Sequence, residues 1–136
     1  MSIDYGMKRV GIAVTDPLQI IANGLDTVPT SEIFDFLKTY TDNEEVSEIV
    51  VGMPLHADGN PTGLEPAIND FIRKVNKLFP TIKVVRQDER FTSSDAKRII
   101  LQSGARKKKR RDKSLVDKIS AVLILQEFLE SRRNGS

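Results

Sequence analysis

The chain has 136 residues, a formal net charge of +2 and no cysteine. Without cysteine it cannot form a disulfide framework, a thiolate metal site or a thiol nucleophile. No apolar run approaches the roughly 20 residues of a membrane span, and the N-terminus lacks the basic and then apolar pattern of a signal peptide. We therefore expect one domain over residues 1–136, located in the cytoplasm and not in a membrane.

The first predicted element is a hairpin that runs from Ile3 to Thr15, with a tight turn at Gly6. Asp4 stands in its first strand, which is an unfavourable position for an acid. An ionised carboxylate that is removed from water needs a cation or strong hydrogen-bond donors. The hairpin alone leaves two interpretations open: Asp4 stabilises the turn of an edge hairpin, or it belongs to a metal or phosphate site.

The next elements alternate between strands and helices. Residues 24–28 predict a short third strand, and a helix follows from Thr30, whose hydroxyl we expect to cap it. Residues 49–53 form a continuous apolar run, which is typical of a central parallel strand covered on both faces. A second helix is expected from about Pro66 to Phe79.

The remaining elements are a strand over residues 82–86, a helix from Thr92 to Gly104 and a long final helix from Ser114 to about Arg132. We expect residues 133–136 to be a disordered tail. The order of the elements predicts an α/β fold, in which a mixed sheet with an N-terminal antiparallel hairpin carries helices on both faces.

A basic loop is predicted at residues 106–113, which hold 7 of the 21 lysines and arginines. Adjacent cations repel one another unless a polyanion neutralises them, so the loop favours nucleic-acid binding. The alternative interpretation is a solvated loop without a partner.

Two further places in the chain offer carboxylates. Asp88 and Glu89 follow the strand 82–86, where ligands gather in open sheets of this kind, although Glu89 could instead pair with Arg90 on the surface. Asp117 lies in the first turn of the last helix, where Ser114-x-x-Asp117 also fits a capping box. The small Ser120 and Ala121 lie on the same helix face and should let Asp117 approach the strand of Asp4.

Together these acids predict a hard-oxygen site for Mg²⁺ or Mn²⁺. Two such ions about 4 Å apart would support phosphodiester hydrolysis, with the acids as ligands and water as the nucleophile. His56, the only histidine, is assigned no role.

Four motifs occur in one order along the chain. They are Asp-x-Gly-x-Lys-Arg-x-Gly at residues 4–11, Gly-x-Pro-Leu with Asp-Gly at residues 52–59, Asp-Glu-Arg-Phe-Thr at residues 88–92, and Asp117 with Ala121. In this order and spacing they resemble the YqgF/RuvX family, bacterial relatives of Holliday-junction resolvases. The sequence departs from the family pattern at Ser120, where the family usually has alanine.

The resemblance implies a ribonuclease H-like three-layer fold with a five-stranded mixed sheet, and a metal-dependent endonuclease. It also implies a role in 5′-end processing of pre-16S ribosomal RNA, with cleavage of four-way DNA junctions as the alternative. By this resemblance Asp4, Glu89 and Asp117 are the catalytic acids and metal ligands, with Asp88 as an additional candidate ligand and a two-metal Mg²⁺ or Mn²⁺ site.

The predicted partner is nucleic acid, with precursor ribosomal RNA favoured over branched DNA, and the predicted state is a monomer or weak homodimer. The candidate nucleic-acid-binding residues are Lys8, Arg9, Arg90, Arg106, Lys107, Lys108, Lys109, Arg110 and Arg111. A non-catalytic RNA-binding ribosome assembly factor is the competing interpretation. An actin-like ATPase, which also begins its phosphate loop with Asp-x-Gly, needs two such domains and is disfavoured.

Overall fold

The computed structural model describes residues 1–19, 21–54, 62–88 and 113–133 of the chain. The strands are β1 (Ser2–Tyr5), β2 (Arg9–Thr15), β3 (Ala22–Pro29), β4 (Glu48–Met53) and β5 (Lys83–Asp88), and the helices are α1 (Ile33–Asn43), α2 (Glu65–Leu78) and α3 (Lys113–Arg133). The predicted helix from Thr92 to Gly104, residues 106–112 of the basic loop and the predicted tail beyond Arg133 lie outside the described residues. Lys113, which was predicted to end the loop, is the first residue of α3.

The five strands form one mixed sheet in the order β3-β2-β1-β4-β5. β2 is antiparallel to both β1 and β3, whereas β1, β4 and β5 are parallel neighbours. Residues 49–51 of β4 are fully buried, because helices cover the sheet on both faces. The predicted mixed sheet with an N-terminal antiparallel hairpin is confirmed, and the architecture is consistent with the ribonuclease H-like fold.

α1 and α2 cover one face of the sheet through large apolar side chains. These helices and the facing strand positions share one hydrophobic cluster, whose buried members are Met1, Ile3, Val10, Ile12, Ile33, Leu37, Ile49, Val51, Ile68, Phe71, Val75 and Ile82. Alternation along the strands places the intervening residues on the opposite face.

α3 covers that opposite face through a second cluster formed by Ala13, Ala22, Val50, Ala121, Ile124, Leu125 and Leu129. Many residues at this interface are small, and the hydroxyl of Ser2 donates a buried hydrogen bond of 2.6 Å to the carbonyl of Ala121. Ser120 and Ala121 are both buried against the sheet. The expected close approach of this helix face to the sheet is therefore confirmed.

The length of α3, 21 residues, would be enough to cross a bilayer, but the helix carries charged side chains along its course. Across residues 1–19, 21–54, 62–88 and 113–133, no helix combines the length and the apolar character of a membrane span.

Three local expectations differ from the structure. A 3₁₀ turn (Thr30–Glu32) precedes α1, and the Thr30 hydroxyl donates to the carbonyl of Gly6 at 2.7 Å instead of capping the helix. β3 begins two residues earlier than predicted, because its pairing with β2 extends to Ala22. β5 continues through Asp88, because its pairing with β4 extends to the end of that strand.

Candidate active site

Asp4 lies near the carboxyl end of β1, on the face that α3 covers. Ser2 shares this face, since residues two apart in a strand point the same way and Ser2 binds Ala121 of α3. Asp4 is half-buried, and its direct partner across the antiparallel pair is Gly11 of β2. The acid therefore stands beside a position that has no side chain.

The first turns of α3 pass directly over Gly11. A Cβ atom added at this glycine would lie 2.1 Å from the backbone oxygen of Asp117. No side chain fits there, so glycine is required for the helix to lie this close. Because directly opposed residues of an antiparallel pair lie about 5 Å apart, Asp4 and Asp117 flank the same glycine.

The carboxylate of Asp117 is held by an arginine of β2. The Nε atom of Arg9 donates to Oδ2 of Asp117 at 2.9 Å, between two residues that are 108 positions apart in sequence. Arg9 shares the face of Gly11, because it lies two residues before this glycine in β2. The neighbouring Lys8 is exposed in the turn between β1 and β2, at the same end of the sheet as Asp4.

The acid at the end of β5 faces away from this site. Val84 packs into the cluster under α1 and α2, and Arg86 binds Glu65 of α2. Asp88 continues this alternation, so the strand directs it to the face opposite Asp4. Asp88, the additional candidate ligand, therefore lies at the end of β5 on the α1 and α2 side of the sheet, and its role as a ligand stays a prediction.

Gln87 lies on the Asp4 face and was not singled out by the sequence reasoning. Its strand neighbour Val85 packs into the cluster under α3. Gln87 pairs in register with Gly52 of β4, and the pairing of β1 with β4 places Asp4 level with that glycine. The sequence signal that identifies Gln87 is its spacing from the apolar Val85, because residues two apart in a strand share one face.

An ion pair supports the edge of the site from the α2 side. The Nη1 atom of Arg86 lies 2.9 Å from Oε1 of Glu65, the first residue of α2, and its Nη2 atom donates to the carbonyl of Gly52. Because Gly52 lies near the end of β4, this arginine links the start of α2 to the carboxyl ends of two parallel strands.

The described residues include three of the predicted acids, of which Asp4 and Asp117 flank Gly11 and Asp88 lies on the opposite face of the sheet. Glu89, Arg90, His56 and the basic residues 106–111 lie outside the described part of the chain. Within that part, no group of three or more histidine, cysteine, aspartate or glutamate side chains is arranged to hold a metal. Asp4 and Asp117 nevertheless fit a magnesium-type ion, which is often bound by one or two carboxylates with waters and substrate phosphates.

A protein-family model described as RuvX, Holliday junction resolvase, matches residues 1–131 of the chain. This match includes all the motifs noted in the sequence and both acids beside Gly11.

Curated relatives cover nearly the whole chain. A protein of Flavobacterium johnsoniae is 49% identical over 133 residues, which is 98% of this chain and 96% of the relative. A protein of Bacteroides thetaiotaomicron is 48% identical with the same coverage. A protein of Porphyromonas gingivalis is 48% identical over 96% of this chain and 95% of its own length. All three carry the name pre-16S rRNA nuclease.

Proposed function

Because the chain belongs to the RuvX Holliday junction resolvase family, we propose that it is a metal-dependent endonuclease that processes the 5′ end of pre-16S ribosomal RNA, with Asp4 and Asp117 in its active site. The observation that carries the proposal is the placement of these two acids on either side of Gly11. The relatives' name, pre-16S rRNA nuclease, supports the choice of substrate. Precursor ribosomal RNA would be met in the cytoplasm, where we expect the protein to act.

Two carboxylates that lie close together would repel the phosphate backbone of nucleic acid if no cation were bound between them. Asp4 and Asp117 would hold Mg²⁺ or Mn²⁺, and Glu89 remains the predicted third ligand. When bound, these ions supply an activated water and stabilise the leaving oxygen in phosphodiester hydrolysis. Carboxylate oxygens are the ligands that such hard cations prefer.

The chain's own cations account for binding of the substrate. Lys8 is exposed at the turn beside the acids, and Arg9 lies on their face. Positive side chains at these places attract the phosphate backbone and offset the repulsion between phosphate and the two acids. The basic residues 106–111 remain predicted to extend this contact along the RNA.

The test is a cleavage assay on precursor 16S ribosomal RNA, with Mn²⁺ and with EDTA, comparing the wild type with Asp4→Asn and Asp117→Asn. We expect both substitutions to abolish metal-dependent cleavage, because each removes one negative oxygen ligand while nearly preserving side-chain volume. RNA binding and thermal stability should change little in Asp4→Asn. Asp42→Asn is the matched control, since it makes the same charge change at an exposed position of α1.

Unchanged cleavage by Asp4→Asn would remove this residue from the mechanism. A wild type that binds precursor RNA without cleaving any substrate would instead favour the ribosome assembly factor.

Branched DNA is the second candidate substrate, because the matching family model is described as a Holliday junction resolvase. The same assay run on a four-way DNA junction separates the two substrates. Preferential cleavage of the junction, dependent on the same acids, would overturn the assignment to ribosomal RNA and leave the active site in place.

A further inference from the structure

The guanidinium group of Arg9 is anchored at one nitrogen only. Its Nε atom donates to Oδ2 of Asp117 at 2.9 Å, and this is the one hydrogen bond that the described part of the chain makes to the group. Both Nη atoms are left without a partner among those residues. The Arg9 side chain is 35% exposed and that of Asp117 is 25% exposed, so the pair sits at the rim of the site.

This contact differs from the usual strong arrangement between arginine and a carboxylate. In that arrangement two parallel N–H groups bind both carboxylate oxygens. Here the contact uses one nitrogen and one oxygen, which leaves Oδ1 of Asp117 for another ligand. The contact restricts the direction in which the two Nη atoms point.

We propose that Asp117 divides two tasks between its oxygens: Oδ2 orients Arg9, so that the Nη atoms of Arg9 bind a backbone phosphate of the nucleic acid, while Oδ1 faces the catalytic edge. This proposal rests on the proposed nuclease function and assigns Arg9 as a residue that positions the substrate. It also makes the contribution of Arg9 to RNA affinity dependent on Asp117 in the absence of any metal.

The physical argument concerns orientation as well as charge. A guanidinium presents a planar fork that matches two phosphate oxygens, whereas a lysine ammonium is a point charge on a flexible stem. Arg9 is fixed at Nε, so its fork loses less freedom when it binds a phosphate. Lys8 is exposed in the turn and has no such anchor in the described part of the chain, so we expect it to add attraction without orientation.

The effect of replacing Asp117 on RNA affinity distinguishes this arrangement from attraction between charges alone. Removing the negative charge of Asp117 should by itself strengthen the binding of a polyanion, because one repulsive charge near the phosphates is lost. If Asp117 orients Arg9, the same substitution should also leave the guanidinium group of Arg9 free to rotate. Arginine at residue 9 should then bind RNA no more tightly than lysine does.

The experiment measures the affinity of a labelled precursor 16S RNA fragment in EDTA, where cleavage and metal binding are both suppressed. It compares the wild type with Arg9→Lys, Asp117→Ala and the double variant. Arg9→Lys should weaken binding about tenfold in the wild-type background, as expected for a charge-assisted bidentate contact. In the Asp117→Ala background the same change should have about a twofold effect or less, since the fork is no longer oriented.

Two further variants make the test specific. Asp117→Asn retains an oxygen that can accept from Nε, so the tenfold dependence on Arg9 should largely return. Arg73 and Asp70 form an exposed pair on α2, remote from the site, and Arg73→Lys should leave RNA affinity unchanged with or without Asp70→Ala. Thermal unfolding of each variant confirms that it is folded.

Each outcome bears on a different statement. Equal effects of Arg9→Lys in the wild-type and Asp117→Ala backgrounds would overturn the orientation of Arg9 by Asp117, and the nuclease assignment would stand. An Arg9→Lys variant that binds as tightly as the wild type would overturn the phosphate contact. A wild type that binds neither precursor RNA nor branched DNA would overturn this proposal together with the proposed function.

Discussion

The backbone carbonyl of Asp117 lies directly over Gly11, at a position where a side chain would collide with it. This contact connects the last helix to the opening hairpin and sets the position of Asp117 relative to Asp4, the cross-strand partner of Gly11. The function that we propose therefore depends on the absence of one methyl group. The same contact explains why a helix of mixed polarity can lie so close to the sheet.

Replacing Gly11 with alanine should destabilise the protein by about 3 kcal/mol, because the helix must move to accommodate the new atom. The displacement would carry Asp117 away from Asp4, so we expect cleavage to be lost even at temperatures where the variant is folded. Urea unfolding and the cleavage assay measure the two effects. Gly63→Ala is the matched control, since a Cβ atom there meets nothing within 4 Å. If Gly11→Ala had the same free energy of unfolding as the wild type, the close contact between Gly11 and the Asp117 carbonyl would be contradicted.

Two buried serines at the interface between α3 and the sheet should respond in opposite directions. The Ser2 hydroxyl donates to the carbonyl of Ala121, whereas Oγ of Ser120 is buried and has no hydrogen-bond partner among the described residues. Ser2→Ala should lower the free energy of unfolding by about 1 kcal/mol. Ser120→Ala should raise it by about 1 kcal/mol, because it removes an unsatisfied hydroxyl and improves helix propensity.

Chemical unfolding of the two single variants checks this pair. A loss of stability in Ser120→Ala as large as that in Ser2→Ala would mean that the Ser120 hydroxyl makes a stabilising interaction after all.

The ion pair between Glu65 and Arg86 should matter more than an ordinary surface pair. Its side chains are 21% and 24% exposed, and Nε of Arg86 is buried with no hydrogen-bond partner in the part of the chain that the structure describes. Glu65→Gln would leave this guanidinium with a neutral neighbour, at a cost of about 1–2 kcal/mol after allowance for its partial exposure. Asp70→Asn breaks the well-exposed pair with Arg73 and should change the free energy of unfolding by less than about 0.5 kcal/mol.

Equal effects of these two substitutions in urea unfolding would show that the Glu65–Arg86 pair behaves as a surface pair. We also expect Glu65→Gln to lower the rate of RNA cleavage more than the affinity for RNA, because Arg86 donates to the carbonyl of Gly52 beside the site.

Neutralising the five basic residues 107–111 should weaken RNA binding and reduce its salt dependence. Each phosphate contact that is lost should lower the slope of log affinity against log salt by about 0.7 for a single strand. The measurement is a salt titration of RNA affinity in EDTA. The control neutralises five exposed cations remote from the acids, namely Lys38 of α1, Arg73, Lys74 and Lys77 of α2, and Lys83 at the start of β5.

The two variants have the same net charge, so a difference between them reports the location of the contact. An unchanged slope in the 107–111 variant would show that the basic residues do not touch the RNA.

Much of the architecture could be predicted from local patterns in the sequence. The apolar run at residues 49–51 indicated a strand buried on both faces, and β4 lies at such a position. The four motifs indicated the RuvX family, which the family model and the curated relatives confirm. These predictions succeeded because periodicity and motif spacing are properties of neighbouring residues.

Other features depended on partners far away along the chain. The hydroxyl of Thr30 was expected to cap α1, yet it binds Gly6 in the turn of the hairpin. The placement of Asp88 on the face opposite Asp4 followed from the packing of Val84 and Val85 under different helices and from the register of β5 against β4. A shift of one residue in that register would exchange Asp88 for Gln87, because strand side chains alternate between faces.

The sequence by itself determined the kinds of elements, their order and the acids available for chemistry, since these follow from backbone preferences and side-chain type. Tertiary structure alone decided which charged groups meet. Arg9 and Asp117 are 108 residues apart, and their contact exists because Gly11 lets α3 lie close to β2. The energy of such a contact depends on distance and burial, and neither quantity is encoded in the spacing of residues along the chain.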